Sequence, residues 1–346
     1  MFASKKTKGY FIEHNSHSLL LARTSSPSGP MVIEELTSCV PDKPEALAEA
    51  LKKLQPKKSG QHGYVRATCG AYSSRRVVRH ATLDPKRYKD PAYVNEVLTG
   101  QIRIEQPDDY TLALLNANDG TDFDFSSTAR KEAVFAGMLN SEVLALQSSM
   151  LQSGIYPERL EMGTLATLGA LVDYQSFSQL KTPTLVLEID ADATQSFIVS
   201  DTGVESSRPI AQGLDAMIPA VQKEIGLKDE EAARKLFYSN AFDFTGMGAV
   251  LIKKLLKELQ SSIGFYEVQT GQSIGQVACT LLPPKLGWLE NAISTQLGVP
   301  AMVVDYPKWL SAREITFATT AGKQELNNRW LGLFSLMLSY NHAAVS

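Results

Sequence analysis

Three groups of residues in this 346-residue chain carry side chains that could do chemistry. Glu188, Asp190 and Asp192 sit at the end of an alternating apolar run, Leu185, Leu187 and Ile189. Acids at a strand tip could bind a cation or act as an acid–base pair. A two-residue period turns Glu188 away from the Ile189 face, so a paired acid–base site is not expected of it. In the second group, His14 and His17 are three apart with Glu13 alongside, which reads either as a metal site or as a polar hairpin tip. The third is a basic run, Arg75, Arg76, Arg79 and His80, either a solvated face or a partner-binding surface. There is no Gly-x-Ser-x-Gly, P-loop or Cys–His nucleophile arrangement.

Composition narrows the class. Hydrophobic residues make up 44% and charged residues 21%, as in an ordinary globular chain long enough for two domains. A net charge of −3 gives no case for nucleic acid as a general partner. Cys39, Cys69 and Cys279 are odd in number and widely spaced, which suits buried thiols in a reducing compartment. No window reaches the ~18–20 apolar residues of a membrane span, and polar residues interrupt any N-terminal signal segment. A cytoplasmic protein is expected.

The elements that must position these residues follow from periodicity. Gly9–Ile12, Leu19–Ala22 and Met31–Leu36 read as strands, with Glu13–Ser18 as the first hairpin tip. Asp42 caps a helix over Ala46–Leu54. Tyr64–Cys69, Arg75–Ala81, Tyr110–Asn116 and Glu132–Met138 are extended, and Asn140-Ser141-Glu142 caps a helix over Val143–Ser153. Leu185–Ile189, Gln195–Ser200 and Val204–Ile210 form a second strand-hairpin-strand series, leading through Gly213 into a helix over Asp215–Glu224. Beyond Gly226 the chain is mostly helical, with a long helix at Met247–Ile263 and a strand at Gln276–Leu281. An apolar helix over Asn328–Tyr340 is expected to be buried. The expected divisions are 1–63 and 64–173, the latter an inserted subdomain plus the return to the first domain. A second domain follows at 183–325 and a closing helix at 326–346.

In this order the residues resemble the PilM family of type IV pilus assembly proteins, relatives of FtsA on the actin-like fold. Val77–His80 with Leu83 is similar to that family's "R-x-I-x-L-P" strand, and Met150–Glu161 to its "LL-x-x-A-G-L-x-P-x-x-I-E" turn. Arg208–Gly213 is similar to "R-x-I-x-x-G", Glu258–Tyr266 to "E-L-x-R-S-I-x-F-Y", and Leu331-Gly332-Leu333 to "I-G-L-A". The resemblance covers residues 9–340. It implies an α/β, duplicated actin-like fold with a small inserted α+β subdomain.

It also implies two Asp-x-Gly hairpins gripping the phosphates of ATP and its magnesium ion, and here the chain departs. In the first hairpin Glu13 stands for Asp and Asn15 for Gly; in the second Asp190 stands but Asp192 replaces Gly. A carboxylate about 4 Å from a phosphate charge costs on the order of 4 kcal/mol at an effective dielectric of 20, roughly a thousandfold in affinity. The adenosine loop "L-[ST]-G-G" is matched by Cys279-Thr280-Leu281-Leu282-Pro283-Pro284, which has no glycine and two residues without N–H donors. Gly213 keeps its place before the helix.

The resemblance therefore implies a pseudo-ATPase with no expected cofactor. Its partner would be the N-terminal cytoplasmic tail of a PilN-like inner-membrane protein, bound between the inserted subdomain and its neighbour, with other pilus or secretion components in the assembly. Arg75, Arg76, Arg79 and His80 are candidate contacts. The alternatives are an ATP-binding PilM/FtsA-type ATPase and a cytoplasmic domain of the GspL type from type II secretion. The latter would continue into a membrane span.

Overall fold

The period-two alternation around Leu21, Ile33, Leu187 and Phe197 forms strands, and these assemble into two copies of one plan. The computed structural model describes residues 7–41, 43–54, 63–127, 129, 131–239, 241–319, 321 and 325–342. The expected Asp42 cap and most of the loop before Tyr64 lie outside these. The chain divides into two units, Met1–Ser178 with Asp305–Ser346, and Gln179–Val304.

In the first unit β1 (Gly9–His14), β2 (Leu19–Thr24) and β3 (Met31–Cys39) form an antiparallel meander followed by α1 (Pro44–Leu54). Strand β4 (Val65–Ala71) then lies parallel to β1. An excursion leaves the sheet here through β5 (Val77–Thr82), α2 (Tyr93–Glu96), β6 (Tyr110–Asn116) and β7 (Glu132–Leu139). It returns by α3 (Asn140–Gln152), β8 (Ile155–Met162) parallel to β4, and α4 (Gly163–Ser178). The excursion has its own three-stranded sheet, β5-β7-β6, and its own core around Leu83, Tyr93, Val97, Phe123 and Phe135.

The second unit repeats the plan. Strands β9 (Thr184–Ile189), β10 (Thr194–Ser200) and β11 (Gly203–Ile210) form a meander, and a 3₁₀ turn leads into α5 (Ile218–Ile225). After α6 (Glu230–Phe237), α7 (Gly248–Leu251) and α8 (Lys253–Thr270), strand β12 (Gln276–Cys279) lies parallel to β9, followed by α9 (Trp288–Leu297). The expected single helix over Met247–Ile263 is thus broken at Ile252 and runs on to Gly271, whose φ of +69° closes it in the left-handed conformation that glycine tolerates.

The second unit ends at Val304, not at 325. Helix α10 (Tyr306–Ser311) and strand β13 (Ile315–Phe317) belong to the first unit, because β13 pairs parallel with β3 and completes the six-stranded order β13-β3-β2-β1-β4-β8. Asp173 on α4 secures that return: it accepts the Trp309 indole N–H at 2.7 Å and the Arg313 guanidinium at 2.8 Å. Asp173→Asn is expected to lower unfolding stability by about 1.5–3 kcal/mol, since hydrogen bonds to charged groups contribute about that much. Urea denaturation checks it, and an unchanged midpoint would refute the anchoring role.

The closing helix α11 (Leu331–His342) is buried as its composition suggested, with Leu331, Leu333, Phe334, Leu336 and Met337 shielded from solvent. Among the described residues no helix is long and apolar enough to cross a membrane.

Candidate functional site

At the first hairpin the chain satisfies itself. The Asn15 amide N–H bonds the Ser18 carbonyl, and the Asn15 side-chain oxygen accepts from the backbone N–H of His17 at 2.9 Å and of Ser18 at 2.8 Å. This is an Asx turn, the local bonding that Asn offers in place of glycine's freedom. The backbone N–H groups of Asn15, His17 and Ser18 at this tip are thus bonded within the chain itself. Asn15 also donates to Glu13 at 3.4 Å.

Glu13 is 1% exposed. Gly332 in the first turn of α11 approaches it so closely that a Cβ there would lie 2.3 Å from the carboxylate and 2.9 Å from the Thr167 hydroxyl. Burial lowers the pKa of the Arg329 guanidinium, and the Glu13 charge works against that shift.

In the second unit the Asp190 N–H bonds the Ala193 carbonyl, while Ala191 and Asp192 face solvent at the tip. The Leu214 N–H reaches the Asp190 carbonyl at 2.9 Å and the Asp215 N–H the Ala191 carbonyl at 2.7 Å. The segment through Gly213 therefore lies directly on the hairpin, and a Cβ on Gly213 would be 2.5 Å from both Ala191 O and Ala193 N. Its φ of −113° is ordinary, so close approach is what calls for glycine here. Glu188 is buried on the sheet face opposite Leu187 and Ile189 and does not join Asp190 and Asp192 at the tip.

The loop after β12 is filled. Thr280, Leu281 and Leu282 are all buried, and the Cys279 N–H is taken by the Glu290 carboxylate at 2.7 Å. Two of the family-like motifs meet on β11 and α8: the Arg208 guanidinium donates to Glu258 and to the Ser262 hydroxyl, both at 2.8 Å. These residues join a strand to a helix, at an exposed position where an ion pair contributes under about 1 kcal/mol.

The basic run does not form one solvated face. The strand begins at Val77, two residues later than expected, and the preceding turn aims the arginines differently. Arg76 is buried, donates to the Thr164 hydroxyl at 2.9 Å and to the Ser73 carbonyl, and lies over the Tyr72 ring. Arg79 folds back onto the Val78 carbonyl of its own edge strand, and burial followed by the Arg76 charge lowers its pKa. His80 pairs with Glu132 at 3.0 Å. Arg75 is exposed and pairs with Glu142 at 2.8 Å.

The sequence predicts Asn140-Ser141-Glu142 as the cap of a helix over Val143–Ser153. The helix instead starts at Asn140, directly after β7 without a loop, and Glu142 in its first turn accepts from the Ser73 hydroxyl and from the Arg75 side chain and backbone. Burial raises its pKa, but these hydrogen bonds outweigh burial and hold the carboxyl below its usual value. Asn140 beside it donates to the Asp108 carbonyl and accepts from Thr111.

Two meanders, each with a strand returning parallel to its first and one unit carrying an inserted sheet, define the actin-like fold. Among solved structures the chain is similar over 97% of its length to 99% of a chain in a PilM–PilN type IV pilus biogenesis complex, with a TM-score of 0.65 at 17% identity. More distant likenesses include a Bacteroides thetaiotaomicron protein with an actin-like ATPase fold (97% of each chain, TM-score 0.44, 11% identity). Another is the cytoplasmic domain of EpsL from the Vibrio cholerae type II secretion system (98% of this chain and 96% of that one, TM-score 0.42, 10% identity). No protein-family signature and no curated protein matches the sequence.

Proposed function

We propose that this chain is a cytoplasmic actin-fold scaffold of a type IV pilus-like or type II secretion-like assembly. It binds the N-terminal tail of a PilN-like inner-membrane protein between the inserted sheet and its neighbour, and it does not hydrolyse ATP. The observation that carries the second half is the Asx turn at Asn15: the donors a phosphate would use are bonded to the protein itself. The carboxylate of Asp192 at the second tip and the buried Leu281 and Leu282 support the same reading. The intact inserted sheet, with its own core, supports the scaffold half.

Calorimetry with ATP and Mg²⁺ is expected to give no saturable heat; a stoichiometric signal would overturn the pseudo-ATPase reading. Fluorescence anisotropy with a labelled tail peptide of a co-encoded single-span membrane protein tests the scaffold reading. Saturable binding is expected, and its absence would sink it.

A further inference from the structure

We propose that Glu142 is a positioning residue that clamps both chain crossings of the inserted sheet and so sets that sheet's orientation on the body of its unit. The chain crosses outward through Tyr72–Arg76, between β4 and β5, and back at Leu139–Asn140, between β7 and α3. Among the described residues no strand of the inserted sheet pairs with the six-stranded sheet. The two bodies have separate apolar cores, one around Leu83, Tyr93 and Phe135, the other around Ile12, Leu21 and Cys69. Val78, Ala136 and Met138, on the inserted sheet's other face, are buried outside both of these clusters, so packing there acts beside the polar joint at the crossings. With no strand pairing to fix the angle, that joint is the directional one.

The first turn of α3 is that joint. The Glu142 carboxylate, on the returning crossing, collects the Ser73 hydroxyl, the Arg75 guanidinium at 2.8 Å and the Arg75 N–H, all on the outgoing one. Two residues earlier, Asn140 grips the inserted body through Asp108 and Thr111. Arg76 continues the outgoing crossing onto α4 through Thr164. An ionised carboxylate serving several donors is the strongest acceptor available for such a joint. Losing its charge weakens the acceptor of the buried Ser73 hydroxyl and of the exposed Arg75 guanidinium while both cores stay intact.

The consequence for tail binding rests on the scaffold reading above; the clamp itself does not. In Glu142→Gln, hydrogen exchange of β5 and β7 amides is expected to quicken about tenfold or more, with β1 and β4 unchanged and the urea midpoint of the main transition unmoved. Arg75→Gln, at an exposed position, should give the same pattern more weakly and keeps the test open if Glu142→Gln fails to fold. If the wild-type chain binds the tail peptide, Glu142→Gln should weaken that binding about tenfold. If the wild type binds no peptide, the scaffold reading fails and exchange alone judges the clamp. Unchanged exchange in β5 and β7, or a loss spread equally over both sheets, would overturn it.

Discussion

Replacing Gly213 by alanine is expected to cost the second unit about 3 kcal/mol or more, with no nucleotide in the experiment. The added Cβ would meet Ala191 O and Ala193 N at 2.5 Å, and these are backbone atoms that cannot rotate aside. The segment cannot simply lift away either. It is tied down by Leu214 N–H to Asp190 O, by Asp215 N–H to Ala191 O, and by the Thr194 hydroxyl to Gln212 O at 2.6 Å. Overpacking normally costs about 1–3 kcal/mol, and a site with rigid neighbours and three bonds at stake belongs at or above the top of that range. Urea denaturation followed by hydrogen exchange in β9 and β10 would locate the loss. An unchanged midpoint would mean the segment gives freely and that close approach is not what calls for glycine at 213.

Gly332→Ala is expected to destabilise the first unit by about 2 kcal/mol, against the sign that helix propensity gives. In an exposed helix the change would gain about 1 kcal/mol. Here the new Cβ would sit 2.3 Å from a Glu13 oxygen and 2.9 Å from the Thr167 hydroxyl, and Glu13 has no route to solvent at 1% exposure. The clash is with a side chain, so it can be relieved in trans. Glu13→Ala is expected to cost stability alone yet to offset most of the loss in the Gly332→Ala background. A double-mutant cycle should show a coupling of about 1 kcal/mol or more. Additive effects would show that α11 shifts instead, and that Gly332 is not held by Glu13.

The meanders were legible because alternation survives in a single sequence: Leu185, Leu187 and Ile189 face one core, and their neighbours face away. The degenerate hairpins were legible as substitutions but not as structures. Asn15 read as a missing glycine, whereas its side chain closes the turn, which depends on a rotamer. The separate placements within the basic run were not legible because a turn through Ser73–Arg76 moves the strand start to Val77 and buries Arg76. Asn140-Ser141-Glu142 reads as a cap because Asn-Ser-Glu ordinarily follows a loop, and here β7 runs straight into a helix that already begins at Asn140. The boundary at Val304 was hidden because β13 is three residues long and its pairing with β3 bridges almost the whole chain.

The return of the chain after Val304 has a meaning for biosynthesis. Gln179–Val304 is one uninterrupted stretch, while the other unit is assembled from two. A ribosome that has released residue 304 has delivered every strand and helix of the second unit, but not β13 or α11. Domains fold as units as they emerge, so the second unit completes first. The earlier-made β1 and α4, on which α11 packs, wait with apolar surface uncovered until Trp330, Leu333 and Phe334 arrive. The unit that opens the chain is thus the last to complete its core.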